Sequence, residues 1–219
     1  MTKTSLKACL IVFALALTAP GLAIAQPGTG GAAATAVAPL TDPAAKQIRA
    51  FYDALLDSMK HAKEVDVNGR YRKLQPAVDA TFDFATMTER TVGPDWAGMP
   101  QADRDALTEA FRRMTIADYA HNFDGYGGEA FVVEPNVRER AGDKIVTTQM
   151  TIPDKAPIPF VYRLNKTKDG WKIADVFLNG YVSEVATRRA DFASTLKSGG
   201  ASALAAKLNT LTDKLLSGQ

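Results

Sequence analysis

Between Pro43 and Leu216 the spacing of apolar residues changes twice, from a period near 3.6 to a period of 2 and back, and this alternation outlines the fold. Ile48, Phe51, Tyr52, Leu55 and Met59 recur every three or four residues behind Thr41-Asp42-Pro43, where a capping side chain precedes a proline at the first helical position. The pattern predicts an amphipathic helix running to about Asn68-Gly69. Two shorter helical stretches follow, Tyr71 to Asp79 and Asp83 to Thr91, the second capped by Asp83 and closed by Gly93-Pro94. A longer helix starts at Pro100, carries Leu107, Phe111, Met114 and Ala117 or Asp118 along one face, and stops at Asp124-Gly125-Tyr126-Gly127-Gly128.

From Glu129 to Gly180 the pattern is that of strands: Phe131 and Val133; the β-branched run Ile145 to Ile152; Ile158, Phe160, Tyr162 and Leu164 in alternation; then Trp171 to Leu178. Gly142-Asp143 and Asp169-Gly170 mark turns, and connections this short require antiparallel neighbours, so four strands form one antiparallel sheet. Two helices close the chain, Val182 to Ser198, ended by Gly199-Gly200, and Ala201 to Leu216, with Leu204, Leu208, Leu211 and Leu215 on one face. Helices, then strands, then helices make the fold class α+β.

The first 40 residues obey a different rule. Lys3 and Lys7 precede the uncharged run Ala8 to Ala19, Pro20-Gly21 breaks it, and Ala23-Ile24-Ala25 provides a small-x-small site, so residues 1–25 read as a signal peptide cleaved after Ala25. The expected compartment is the periplasm. Gln26 to Leu40 contains only small and apolar residues, glycine and proline apart from Gln26, without a charge, and reads as a flexible tether before a single domain over 41–219. The only cysteine, Cys9, leaves with the leader, so the mature domain depends on its core instead of on disulfides. Of 26 basic residues two lie in the leader, leaving 24 against 24 acids; a neutral domain has no global attraction for polyanions, and no nucleic-acid partner is expected.

Catalytic chemistry has few candidates. His61 and His121 lie on separate predicted helices without the spacing of a metal site, and His121 suits a helix end, where imidazole can cap carbonyls. No metal and no cofactor are expected. Asp83 is explained as a cap and Asp95 as a turn residue, whereas Asp175 sits inside a strand, where aspartate needs a partner; Arg163 on the preceding strand is the expected one. Glu184, Arg188, Arg189 and Asp191 read as a solvated helix face with an i to i+4 pair, Glu184 with Arg188.

The segments Asp83-Phe84-Ala85-Thr86-Met87, Val92-Gly93-Pro94-Asp95-Trp96 and Gly170-Trp171-Lys172-Ile173-Ala174-Asp175-Val176-Phe177-Leu178-Asn179-Gly180, with Tyr119 and Tyr126 between them and Arg189-Ala190-Asp191-Phe192 after them, resemble the MlaC family of periplasmic lipid-binding proteins. The likeness spans roughly Thr41 to Leu211. It departs at one point: where the family usually has Tyr-Arg ahead of that phenylalanine, this chain has Arg188-Arg189. The resemblance implies an NTF2-like antiparallel sheet of four to five strands, wrapped by N- and C-terminal helices around an apolar cavity. It also implies a non-enzymatic shuttle of phospholipid between an outer-membrane lipoprotein complex and an inner-membrane ABC transporter with its lipid-handling subunit. The small-residue tether also fits the hopanoid-associated HpnM subgroup, which makes a hopanoid the alternative cargo.

Sealing about 30 methylenes from water is worth roughly 24 kcal/mol, so a carrier must enclose its tails. Candidate lining residues are Phe131, Val133, Val146, Met150, Phe160, Tyr162, Ile173 and Phe177 from the strands and Phe111 and Met114 from the long helix. Two other readings compete with the carrier. One is an NTF2-like enzyme with Asp175 as base and Tyr126 or Tyr162 as hydrogen-bond donor; the other is an envelope-complex subunit with a packed interior and no bound lipid.

Overall fold

A computed structural model of the protein describes residues 38–218. The expected signal peptide and cleavage site, and the tether up to residue 37, lie outside the described residues. The helices are α1 (Pro43–Lys60), α2 (Val67–Thr81), α3 (Phe84–Val92), α4 (Gln101–Asn122) and α5 (Glu184–Leu216), with a 3₁₀ turn at Gly93–Gly98 after α3. The strands are β1 (Ala130–Val133), β2 (Arg138–Arg140), β3 (Asp143–Thr151), β4 (Ile158–Thr167), β5 (Gly170–Leu178) and β6 (Val182–Ser183). No helix among the described residues is long and apolar enough to cross a membrane.

All strand pairs are antiparallel, and the order across the sheet is β1-β3-β4-β5-β6. The sheet therefore has more strands than the apolar pattern predicts, because two of them are short and polar or edge-placed. β1 and β2 follow one another along the same edge of β3, opposite Thr148–Thr151 and Asp143–Ile145 respectively, and Pro135 stands in the gap between them. β2 is Arg138-Glu139-Arg140, fully exposed, so it carries no buried alternation to read. β6 turns back on β5 through Asn179 and Gly180, both at positive φ (52° and 80°), the backbone that an Asn-Gly hairpin turn requires.

The helices begin where the capping residues stand. Asp42, Asp66, Asp83 and Ser183 each accept a backbone N–H of the first turn of α1, α2, α3 and α5. Asp66 corrects one expectation. The first helix ends at Lys60, not at Asn68-Gly69, and Asn68-Gly69 belongs to the first turn of α2, where the Gly69 N–H donates to Asp66 at 2.7 Å. Glycine is needed there for space, since a Cβ on Gly69 would lie 2.6 Å from that of Val65. The two expected C-terminal helices form the single run α5, which breaks at Gly200 (φ 65°, ψ −162°), a backbone essentially confined to glycine. The second expectation is thus met at the expected residues, while the start moves to Glu184 because Val182 and Ser183 pair with β5.

One face of the sheet holds the core against α1, whose Ala44, Ala45, Ile48, Phe51, Tyr52, Leu55 and Met59 are buried at helical spacing. α2 and α4 are clasped by the Arg112 guanidinium, which donates two 2.6 Å hydrogen bonds to the Asp79 carboxylate. His121 does cap a carbonyl, but of another helix: its Nδ1 lies 3.1 Å from Leu215 O at the end of α5. The α2–α3 junction adds to the sheet itself, since the Asp83 N–H donates to Ile173 O at 2.9 Å on the side of β5 that β6 leaves uncovered.

Candidate functional site

Apolar side chains from α1, α3, α4 and the sheet leave a cavity of about 180 Å³ between them. Phe51, Tyr52, Leu55 and Met59 come from α1, Phe82 and Met87 from the α3 region, and Phe111, Thr115, Tyr119 and Phe123 from α4. The sheet contributes Phe131, Met150, Ile152, Ile158, Phe160, Tyr162, Val176 and Leu178. Burial is graded along it: Phe51, Tyr52 and Tyr162 are buried, whereas Met150, Ile158, Phe160, Leu178 and Phe123 are only half-buried. Apolar side chains that stay partly exposed at one end define a mouth.

Of the ten residues expected to line the cavity, the structure brings Phe111, Phe131, Met150, Phe160 and Tyr162 to its wall. Met114, Val133, Val146 and Ile173 lie in the core away from that wall. Val133, Val146 and Ile173 are buried in the sheet's part of the core, and Met114 is buried on α4. Phe177 is a correction with a specific cause. Leu164 pairs with Ile173 but Arg163 pairs with Asp175, so Ala174 is an extra residue, a β-bulge that reverses the in–out alternation of β5. Ile173 faces the core before the bulge; after it Val176 and Leu178 face the cavity, and Phe177 takes the opposite side.

Deep in the cavity the polar atoms are matched to one another. The Tyr52 hydroxyl donates to Tyr162 at 2.8 Å and is hydrogen-bonded to Thr148 Oγ1 at 2.7 Å. Burial pushes both phenols well above their ordinary pKa, so they stay neutral and the wall uncharged. Near the mouth the character changes. Arg188 of α5 lies 3.6 Å from the Asp118 carboxylate of α4 and 3.8 Å from Glu184, and Asn122 donates to Asp118 at 2.8 Å. All four line the cavity. The expected Glu184–Arg188 pair therefore exists, but not on a solvated face: the two side chains are only 20% and 15% exposed. Burial raises the pKa of Asp118 against the opposing pull of Arg188 and Asn122, and burial raises that of Glu184 in the same way.

The constellation required by the enzymatic reading is not assembled. Asp175 is buried and does not line the apolar cavity but a separate surface pocket beside Arg163 and Arg189, and Arg163 is not its partner; Arg163 pairs with Asp143. The Asp175 carboxylate instead accepts Ser183 Oγ at 2.6 Å and the N–H groups of Val176 and Val185 at 2.8 and 3.2 Å, fastening the β5–β6 turn to the start of α5. Tyr126 is 46% exposed, beneath Lys60, and Tyr162 is engaged by Tyr52. The cavity residues that sequence reasoning passed over include those of α1, Phe82 and Met87, Ile158, Val176 and Leu178, and the charged group of Asp118, Glu184 and Arg188. The adjacent aromatics Phe51-Tyr52 on a buried helix face were the available signal for the first.

A comparison with curated proteins returns no match. Among solved structures, a phospholipid-binding protein from Ralstonia solanacearum in complex with a phospholipid is similar, with a TM-score of 0.69 and 20% sequence identity over 80% of this chain and 99% of that one. At that identity the likeness establishes the fold. The sequence profile of the MlaC protein family matches residues 49–210, which takes in α2, α3, α4 and the whole sheet and most of α1 and α5. The chain belongs to the MlaC family.

Proposed function

We propose that this protein is a periplasmic lipid carrier that takes a phospholipid by its acyl chains and passes it between an outer-membrane lipoprotein complex and an inner-membrane ABC transporter. The observation that carries this reading is the apolar cavity opening through half-buried Met150, Ile158, Phe160 and Leu178. Family membership supports it, and so does the phospholipid bound by the Ralstonia solanacearum protein. Lys3, Lys7 and the apolar run after them support export.

Size sets the mechanism. A cavity of about 180 Å³ is below the roughly 300–1,000 Å³ of common small-molecule sites, so in this conformation it admits part of one chain. Two tails require the walls to part. Met59, Met87 and Met150 suit that task, because an unbranched thioether re-packs around different chain positions at little cost. Release requires only an acceptor with comparable affinity, and no covalent step.

The test is extraction from membranes. Delipidated mature protein incubated with vesicles of phosphatidylethanolamine and phosphatidylglycerol, then separated from them, is expected to carry about one phospholipid per chain and to give it up to acceptor vesicles. Protein that emerges without lipid from vesicles of every composition contradicts the proposal.

A further inference from the structure

The cavity wall carries an arginine that an apolar-tail site does not need. Arg188 is 15% exposed, projects from the first turns of α5, and lines the cavity beside Leu178 and Val185. Its two counter-ions, Asp118 and Glu184, stand at 3.6 and 3.8 Å, beyond hydrogen-bond length, and among the described residues no hydrogen bond reaches the guanidinium. Five donors held in a planar fork and left unfilled next to an apolar cavity match a phosphate.

The surrounding acids decide what else the ligand carries. Asp118 and Glu184 outnumber the arginine, and a third carboxylate on the same wall, Glu129, is 3% exposed with Oε1 buried and lacking a hydrogen-bond partner; its Oε2 accepts the Gly127 N–H at 2.6 Å. A purely anionic headgroup would add charge to a wall already in negative excess. A headgroup that joins a phosphate to an ammonium adds none: the phosphate takes the guanidinium, and the carboxylates it displaces gain a cation.

We propose that Arg188, with Asp118, Glu184 and Glu129 around the same cavity, recognises the headgroup of a zwitterionic phospholipid, the guanidinium binding the phosphate and the carboxylates the ammonium. The inference rests on the carrier reading and deepens it, since it selects a phosphate-bearing lipid over an uncharged terpenoid or a diacylglycerol. Arg188 is then a specificity residue, and the tails supply most of the affinity.

The test loads delipidated protein from vesicles containing equal amounts of dioleoyl phosphatidylethanolamine, dioleoyl phosphatidylglycerol and dioleoylglycerol, and counts each lipid carried by native mass spectrometry. Wild type is expected to favour phosphatidylethanolamine over both others by about tenfold. Arg188→Gln is expected to remove the preference over dioleoylglycerol while still carrying lipid, Arg188→Lys to restore part of it, and Glu184→Gln to raise the phosphatidylglycerol share severalfold. Should Arg188→Gln fail to fold, Glu184→Gln decides alone, an unchanged headgroup ratio overturning the proposal. Equal loading of the three lipids by wild type, or wild-type ratios in folded Arg188→Gln, overturns it while leaving the carrier reading intact. Wild type that loads none of them defeats the carrier reading itself.

Discussion

Asp175 shows how a buried acid in a strand can be structural. Its carboxylate accepts three hydrogen bonds, from Ser183 Oγ and from the N–H groups of Val176 and Val185, and so holds α5 to the end of β5. Removing it leaves two buried N–H donors unmet, a loss of roughly 2–3 kcal/mol. Asp175→Ala is therefore expected to lower stability by that amount in chemical denaturation while the folded protein still carries lipid; unchanged stability would contradict the assignment. Asp118 behaves oppositely to Asp83, the cap of α3. For Asp83, burial opposes ionisation but hydrogen bonds from Asn165 and from the Thr86 N–H and hydroxyl prevail and lower its pKa, so it stabilises the fold above its ordinary value of 3.8 and that stability is lost as pH falls below it. For Asp118, burial prevails over Arg188, Asn122 and His121, so the charged form costs stability above its raised folded pKa, and the cost is relieved as pH falls through it. The stability of Asp118→Asn relative to wild type is accordingly expected to improve as pH rises from about 4 to 7 in pH-resolved denaturation. A difference that is flat with pH would contradict it.

Among the elements, helices with a capping side chain and a regular apolar stripe are legible from residues alone, which is why Asp83, Pro100 and the Gly199-Gly200 break fall where the pattern puts them. Three features are not legible, each for a local reason. Asn68-Gly69 has the composition of a stop, yet Asp66 accepts the Gly69 N–H and turns the segment into a helix start. β2 has no apolar residue to alternate. The bulge at Ala174 is invisible because period-2 reasoning carries one parity through the whole of β5, placing Ile173 and Phe177 together. The candidate site inherits these limits: alternation separates the two faces of β3 and β4, but which face turns inward and how far along each strand the cavity extends depend on packing that no local pattern encodes. The bulge makes a sharp prediction. Leu178→Trp, on the cavity side, is expected to cut lipid carried per chain by more than half, and Phe177→Trp to leave it unchanged, both measured after detergent-free purification; the reverse order would refute the assigned parity. At the α5 break, Gly200→Ala meets no atom within 4 Å but must adopt a backbone reserved for glycine, so a cost of about 1–3 kcal/mol in thermal or chemical unfolding is expected.

At the scale of the whole molecule the sheet and helices act as a shell whose interior is apolar and neutral at depth and charged only near its mouth. The neutral depth comes from Tyr52, Tyr162 and Thr148 satisfying one another, and the charge from Arg188, Asp118 and Glu184 where α4 meets α5, with Glu129 ahead of β1. A shell of this kind has a reason to remain incompletely filled: space that costs stability in a packed core becomes the site for a chain that would otherwise be in water. Opening of that shell should be visible as faster amide exchange in α4 and the first turns of α5 in the delipidated form than in the loaded form. The central claim, that the cavity holds lipid, is tested most directly by native mass spectrometry of the mature protein expressed in a bacterial periplasm and purified without detergent. The expected result is a mass above that of the chain by one phospholipid, lost on solvent extraction and on denaturation. A bare chain mass that no incubation with vesicles changes would contradict the account.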